Sequence, residues 1–168
     1  MEPFDTALLL LRVMFGAMFV AHGVNHIFGG GKIEGTGRWF TSIGFRHGRT
    51  QAWIASLTEI GAGALLVLGL FTPLAAAGLV GPMLVAIITV HARNGFFIIK
   101  EGWEYAACII VAAIAMGLLG AGAYSLDAAF GLDETLSGWL GGAIAVGGGV
   151  VALLQLAVFW RRPARSEG

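Results

Sequence analysis

Residues 6–28 read TALLLLRVMFGAMFVAHGVNHIF, an apolar run interrupted by Arg12 near its start and by His22, Asn25 and His26 near its end. At 1.5 Å per residue, a helix over this stretch can cross the ~30 Å hydrocarbon core of a bilayer. Four further apolar runs follow, at 52–70, 74–90, 105–121 and 138–160. Apart from Arg12, every Lys and Arg lies in three alternate intervals. Lys32, Arg38, Arg46 and Arg49 follow the first run, Arg93 and Lys100 the third, and Arg161, Arg162 and Arg165 the fifth. Lys and Arg beside a span stay on the cytoplasmic side, so the pattern predicts the N-terminus outside and the C-terminus inside. Only an odd number of spans allows that.

Composition points the same way. A chain of 168 residues that is 57% hydrophobic and 12% charged has too little polar surface to coat a water-soluble globule. The expected fold is therefore an all-α bundle integral to a cytoplasmic membrane. The formal net charge is zero, and nothing suggests a nucleic-acid partner. Residues 1–5 are acidic, with no basic region or small-residue cleavage site, so the first run is expected to be retained. The single cysteine, Cys108, excludes an internal disulfide or a CxxC pair.

Between runs one and two, Trp39, Phe40 and Ile43 fall at helical spacing in a glycine-rich basic segment, which predicts a short helix lying in the membrane interface. Thr72 is expected to cap the third run and Pro73 to occupy its first turn. Pro82 should kink that helix. In the fifth run Gly138 and Gly142 form a GxxxG pair, a pattern open both to packing within the bundle and to a homo-oligomer.

Ionisable side chains are costly within lipid and so mark candidate sites. Counting along the helices puts His22 ~9 Å and Glu59 ~10 Å from the inner ends of their runs, at one depth. A carboxylate and an imidazole so placed suit proton uptake coupled to a redox carrier, with a quinone carbonyl accepting hydrogen bonds from His or Asn. A hydrogen-bonded pair that merely orients two helices is the alternative. Asn25, His26, His91, Asn94 and Glu104 approach the same inner boundary and complete the candidate pocket. His22 and His26 stand at i, i+4, but without HExxH, CxxCH or a cysteine partner no metal site is assigned. Arg12 lies ~24 Å up the first helix, near the outer face, and Asp127 is its expected partner in a structural ion pair.

These segments together resemble the DoxX family of small membrane proteins. The resemblance rests on Leu8 to Arg12 followed by His22-Gly23, on Glu59 before a Gly/Ala run, and on the stretch Gly69-Leu70-Phe71-Thr72-Pro73-Leu74-Ala75-Ala76. It continues through Asn94-Gly95-Phe96-Phe97, Glu104-Tyr105 and Tyr124-Ser125-Leu126-Asp127. The family commonly has lysine where this chain has His26, and its core has four spans. The implied division is a DoxX-like domain over 1–127, then a fifth transmembrane helix and basic tail over 128–168. The resemblance implies a membrane subunit of a redox or sulfur-detoxification assembly. Some family members are linked to quinone-dependent thiosulfate oxidation, and one relative to an oxidoreductase complex with a sulfurtransferase and superoxide dismutase. The implied cofactor is a quinone, and the implied partner a soluble oxidoreductase or sulfurtransferase on the cytoplasmic side. The competing expectation is a non-enzymatic scaffold or a carrier of lipid or small molecules.

Overall fold

The computed structural model describes residues 2–163; Arg165, counted above with the basic tail, lies outside them. The described residues are helical, without a named strand, and form a membrane bundle. Four helices are long and apolar enough to cross a bilayer: α1 (Pro3–Phe28), α3 (Gly48–Leu68), α4 (Thr72–Thr89) and α7 (Gly138–Phe159). Between α1 and α3 lies a short helix where one was expected, α2 (Lys32–Ser42). The fourth apolar run forms α5 (Glu104–Leu119), 16 residues that connect the same two ends of the bundle. A single turn, α6 (Leu126–Ala129), precedes α7.

Glycine sets how closely these helices approach. On α1, an added Cβ at Gly16 would lie 2.6 Å from the Gly63 carbonyl oxygen, and one at Gly23 2.6 Å from that of Ser56. On α7, Gly141 sits against Gly117 of α5, and Gly148 against Ala77 of α4. Both interfaces therefore use glycines one heptad apart, which return to the same helix face and let two backbones meet. In the Gly138/Gly142 pair, Gly142 packs on Leu118 but Gly138 faces open space, so the packing stripe is Gly141/Gly148. α4 continues as helix through Pro82.

The basic end is tied together by its backbone. Phe45 and Trp160 form an antiparallel bridge, with Arg46 N–H donating to Phe159 (2.8 Å) and Arg161 N–H to Gly44 (2.9 Å). Phe40, Phe45, Ala52 and Leu156 pack behind it, so α2, the start of α3 and the end of α7 share one small core.

At the opposite end the expected Arg12–Asp127 pair takes a different form. Both side chains are fully buried, yet among the described residues no Arg12 nitrogen lies within 4.0 Å of an Asp127 oxygen in an ion pair. Instead, Asp127 accepts the N–H groups of Phe71 (2.8 Å) and Thr72 (2.9 Å), capping α4 from 55 residues away in sequence. Thr72 does not cap the helix through its own hydroxyl, which is buried without a partner. Arg12 donates to the Tyr124 carbonyl and lies across Gly69, where any Cβ would collide with the guanidinium. Gly69 also has φ of 63°, so both the turn and the packing require glycine there. Ser125 caps α6 through the Ala128 N–H, which fixes the turn that presents Asp127.

Candidate functional site

Glu59 is 6% exposed and faces the first helix from α3. Its Oε2 lies 3.4 Å from Nδ1 of His26, near but not aligned for a hydrogen bond, and among the described residues neither atom has another partner. The expected neighbour was His22. The helix register explains the correction. With Gly16 on Gly63 and Gly23 on Ser56, the Cα of Glu59 is level with Val20, more than one turn above His26. Side chains lean toward the N-terminus of their own helix. In the antiparallel α1–α3 pair, Glu59 therefore leans toward the basic end and His26 away from it, and the two converge.

His22 is exposed, and its Nδ1 donates to the Met18 carbonyl (2.9 Å). Because a carbonyl only accepts, that nitrogen carries the hydrogen and Nε2 is left available. His91 is arranged alike, its Nδ1 donating to the Glu101 carbonyl (2.7 Å). Asn94 donates to the same carbonyl (3.2 Å), and Glu104 accepts the Ile98 N–H (2.7 Å). These last two residues order the loop between α4 and α5.

A cavity of about 850 Å³ joins His22, His26, Glu59 and His91, and extends to Trp39 and Tyr105. Asn25, Asn94 and Glu104, expected in the pocket, are not among its walls. Tyr105 donates from its hydroxyl to Sδ of Met18 (2.7 Å), spanning α5 to α1 at the cavity's edge. Thr58, Thr89 and Gln155 also line it. Gln155 donates to Gln51 (2.7 Å) and so crosses from α7 to α3. Sequence reasoning passed over Gln155, although a polar amide inside an apolar run is marked by the same cost that marked Glu59. Among the described residues no cluster of three or more His, Cys, Asp or Glu could hold a metal ion.

The site therefore combines one carboxylate, a nearby imidazole, two further histidines and a phenol in a mostly apolar chamber. Such a set can exchange protons and hydrogen bonds with a bound molecule.

The comparisons bear on the segment that carries this site. The DoxX family model matches residues 7–92, which include His22, His26, Glu59 and His91. A Bacillus subtilis (strain 168) protein named "Putative oxidoreductase CatD" is 30% identical over 126 residues, 75% of this chain and 88% of that protein. No solved structure gives a significant match. Spanning both the polar pair and the helices that hold it, these matches establish that the chain belongs to the DoxX family.

Proposed function

We propose that this protein is the membrane subunit of a redox assembly and holds a quinone beside His26 and Glu59. The observation that carries this reading is Glu59 itself, buried in the cavity wall with Oε2 lacking any hydrogen-bond donor among the described residues. Leaving a buried polar group unpaired costs about 1–3 kcal/mol, and a bound molecule that donates to it would recover that cost. A quinone offers two carbonyl acceptors for donors such as His26, and its reduced diol offers O–H groups to the carboxylate. Reduction of the dione consumes two electrons and two protons. The electrons come from a soluble oxidoreductase partner and the protons pass through the His26–Glu59 pair. The name carried by the B. subtilis relative supports a redox role.

Orientation follows from charge. Lys32, Arg38, Arg46, Arg49, Arg93, Lys100, Arg161 and Arg162 flank one end of the bundle, and we assign that end to the cytoplasm of a bacterial inner membrane. The partner, an oxidoreductase or a sulfurtransferase, docks there.

Glu59→Gln tests the chemistry while keeping size and polarity. In membranes, quinone-linked electron transfer should fall by about 10²-fold, the scale of a lost acid–base group, with quinone affinity changing far less. Unchanged electron transfer would overturn the reading. A second reading, a lipid carrier, is favoured by the exposure of Leu57 and Leu74 at the cavity's edge. Solvent extraction of protein purified in mild detergent separates the two: quinone supports the first, phospholipid without quinone the second.

A further inference from the structure

The cavity is larger than a head-group pocket needs to be. At ~30 Å³ per water, 850 Å³ corresponds to roughly thirty molecules. Its shape follows from the helix contacts. α3 and α4 are joined by the tight turn at 69–71 and touch where Gly78 faces Ala62. Toward the basic end from that contact the cavity passes between them, with Thr58 on one wall and Val85 and Ala86 on the other. The lining also includes Ile144, Gly147 and Val151 of α7, so the cavity reaches all three helices, and we read this part of it as a furrow along α4 between α3 and α7.

Gly78 and Gly81 of α4, Gly61 of α3 and Gly147 of α7 all line it. A Cβ added at Gly61 or Gly147 would meet nothing within 4 Å, so these glycines keep the furrow wide and are not spent on helix packing. Leu57 and Ile54 at its edge are exposed, as lipid-facing residues would be. At the other end of the same void lies the carboxylate of Glu59 with its unpartnered oxygen.

We propose that the cavity is a two-part site for a membrane-dissolved amphiphile. Its head lies at the His26–Glu59 pair, and its single chain passes between α3 and α4 into the glycine furrow against α7. The proposal rests on the head-group reading given above and adds the class of ligand. Charge selects the head. Among the described residues no Lys or Arg lines the cavity, and its one acid is Glu59, so an anionic phosphate head finds no permanent counter-charge there. A neutral head that both donates and accepts hydrogen bonds fits. A molecule without a chain would fill only the polar part and leave the furrow empty.

The test uses full-length protein in phosphatidylcholine nanodiscs under anaerobic conditions and two probes with the same benzoquinone head in its reduced, diol form, one bearing a decyl chain and one bearing none. Binding is read by quenching of tryptophan fluorescence, since Trp39 lines the cavity. Gly147→Leu and Gly61→Leu each place a side chain in the furrow, from α7 and α3 respectively, and Leu favours helix over Gly, so folding should hold. Each substitution should weaken the decyl probe about tenfold or more, the scale of overfilling an apolar slot, and leave the chainless probe within about twofold. Glu59→Gln should weaken both probes by similar factors.

If both leucine variants bind the decyl probe as wild type does, while the chainless probe still binds in a Glu59-dependent way, the furrow assignment falls and the head-group reading stands. If wild type binds neither probe, both fall. A shift from dimer to monomer in the leucine variants would give the furrow to a second copy and overturn the assignment.

Discussion

Asp127 stands on one turn of helix and holds the start of another. Its two oxygens take the N–H groups of Phe71 and Thr72, and the first of these residues has φ of 48°, in the left-handed region that costs a non-glycine residue about 1–2 kcal/mol. Hydrogen bonds to a charged acceptor, about 1.5–3 kcal/mol each, offset that cost. The same carboxylate is the negative charge nearest in function to the buried Arg12, whose Nε and Nη1 lack hydrogen-bond partners. Asp127→Ala should therefore destabilise by about 3–5 kcal/mol, the cost of leaving a buried charge uncompensated. Adding Arg12→Leu should restore part of the loss, because the guanidinium is then no longer stranded. Thermal unfolding in detergent, followed by circular dichroism, reads both variants. A double variant less stable than Asp127→Ala would show that Arg12 is not held by this charge. The residue types of this cluster were readable in the sequence because charged groups in apolar runs are conspicuous. Their geometry was not: a cap supplied across 55 residues leaves no local spacing to detect, whereas Thr72 beside Pro73 is a local signal that pointed to the wrong cap. His22 and His26 pose the same difficulty. Distance along a helix gives depth only to about a turn, and the lean of two antiparallel side chains consumes that margin.

Among the elements, α1 and α3 carry the polar pair, and their spacing depends on Gly16, Gly23 and Gly63. A Cβ at Gly16 would stand 2.7 Å from Cγ2 of Val67 as well as against the Gly63 carbonyl, with backbone on one side that cannot yield. Gly16→Leu should force the helices apart, lower stability by at least about 1–3 kcal/mol and abolish binding of the chainless diol probe, because His26 is levered away from Glu59. Gly61→Leu, on the open face of the same α3, serves as the contrast and should leave that probe bound. Equal stability and binding in Gly16→Leu and wild type would refute the role given to this contact. The four long spans, and α2 with Trp39 and Phe40, were legible from periodicity and length, since a bilayer imposes the length and a helix the period. Which glycines pack was not legible. Gly138/Gly142 satisfies the GxxxG pattern, yet helix rotation brings Gly141 and Gly148 against α5 and α4 and leaves Gly138 outside the contact.

Across the whole molecule, charge is segregated along the bundle axis. Apart from Arg12, the described Lys and Arg residues cluster at the end where α1, α4 and α7 finish, whereas Asp5, Asp133 and Glu134 line a shallow pocket at the other, beside Ser137. Because α1, α3, α4, α5 and α7 alternate in direction, the two described chain ends lie at opposite ends of the bundle. The 16 residues of α5 rise only about 24 Å, less than the ~30 Å of a bilayer core, and Trp103 and Tyr105 at its start suit an interface. The assembly proposed above needs the basic end inside the cell, because a soluble electron donor must reach the cavity next to α2. Cysteine labelling decides this. In a Cys108→Ser background, Glu134→Cys should react with a membrane-impermeant maleimide on intact cells, and Arg162→Cys only after the membrane is opened; both positions are exposed to solvent at their ends of the bundle. The reverse pattern would turn His26 and Glu59 toward the outer face and remove any cytoplasmic donor from their reach. Labelling of both positions from one side would contradict the odd number of crossings and, with it, the register that brings the imidazole to the carboxylate.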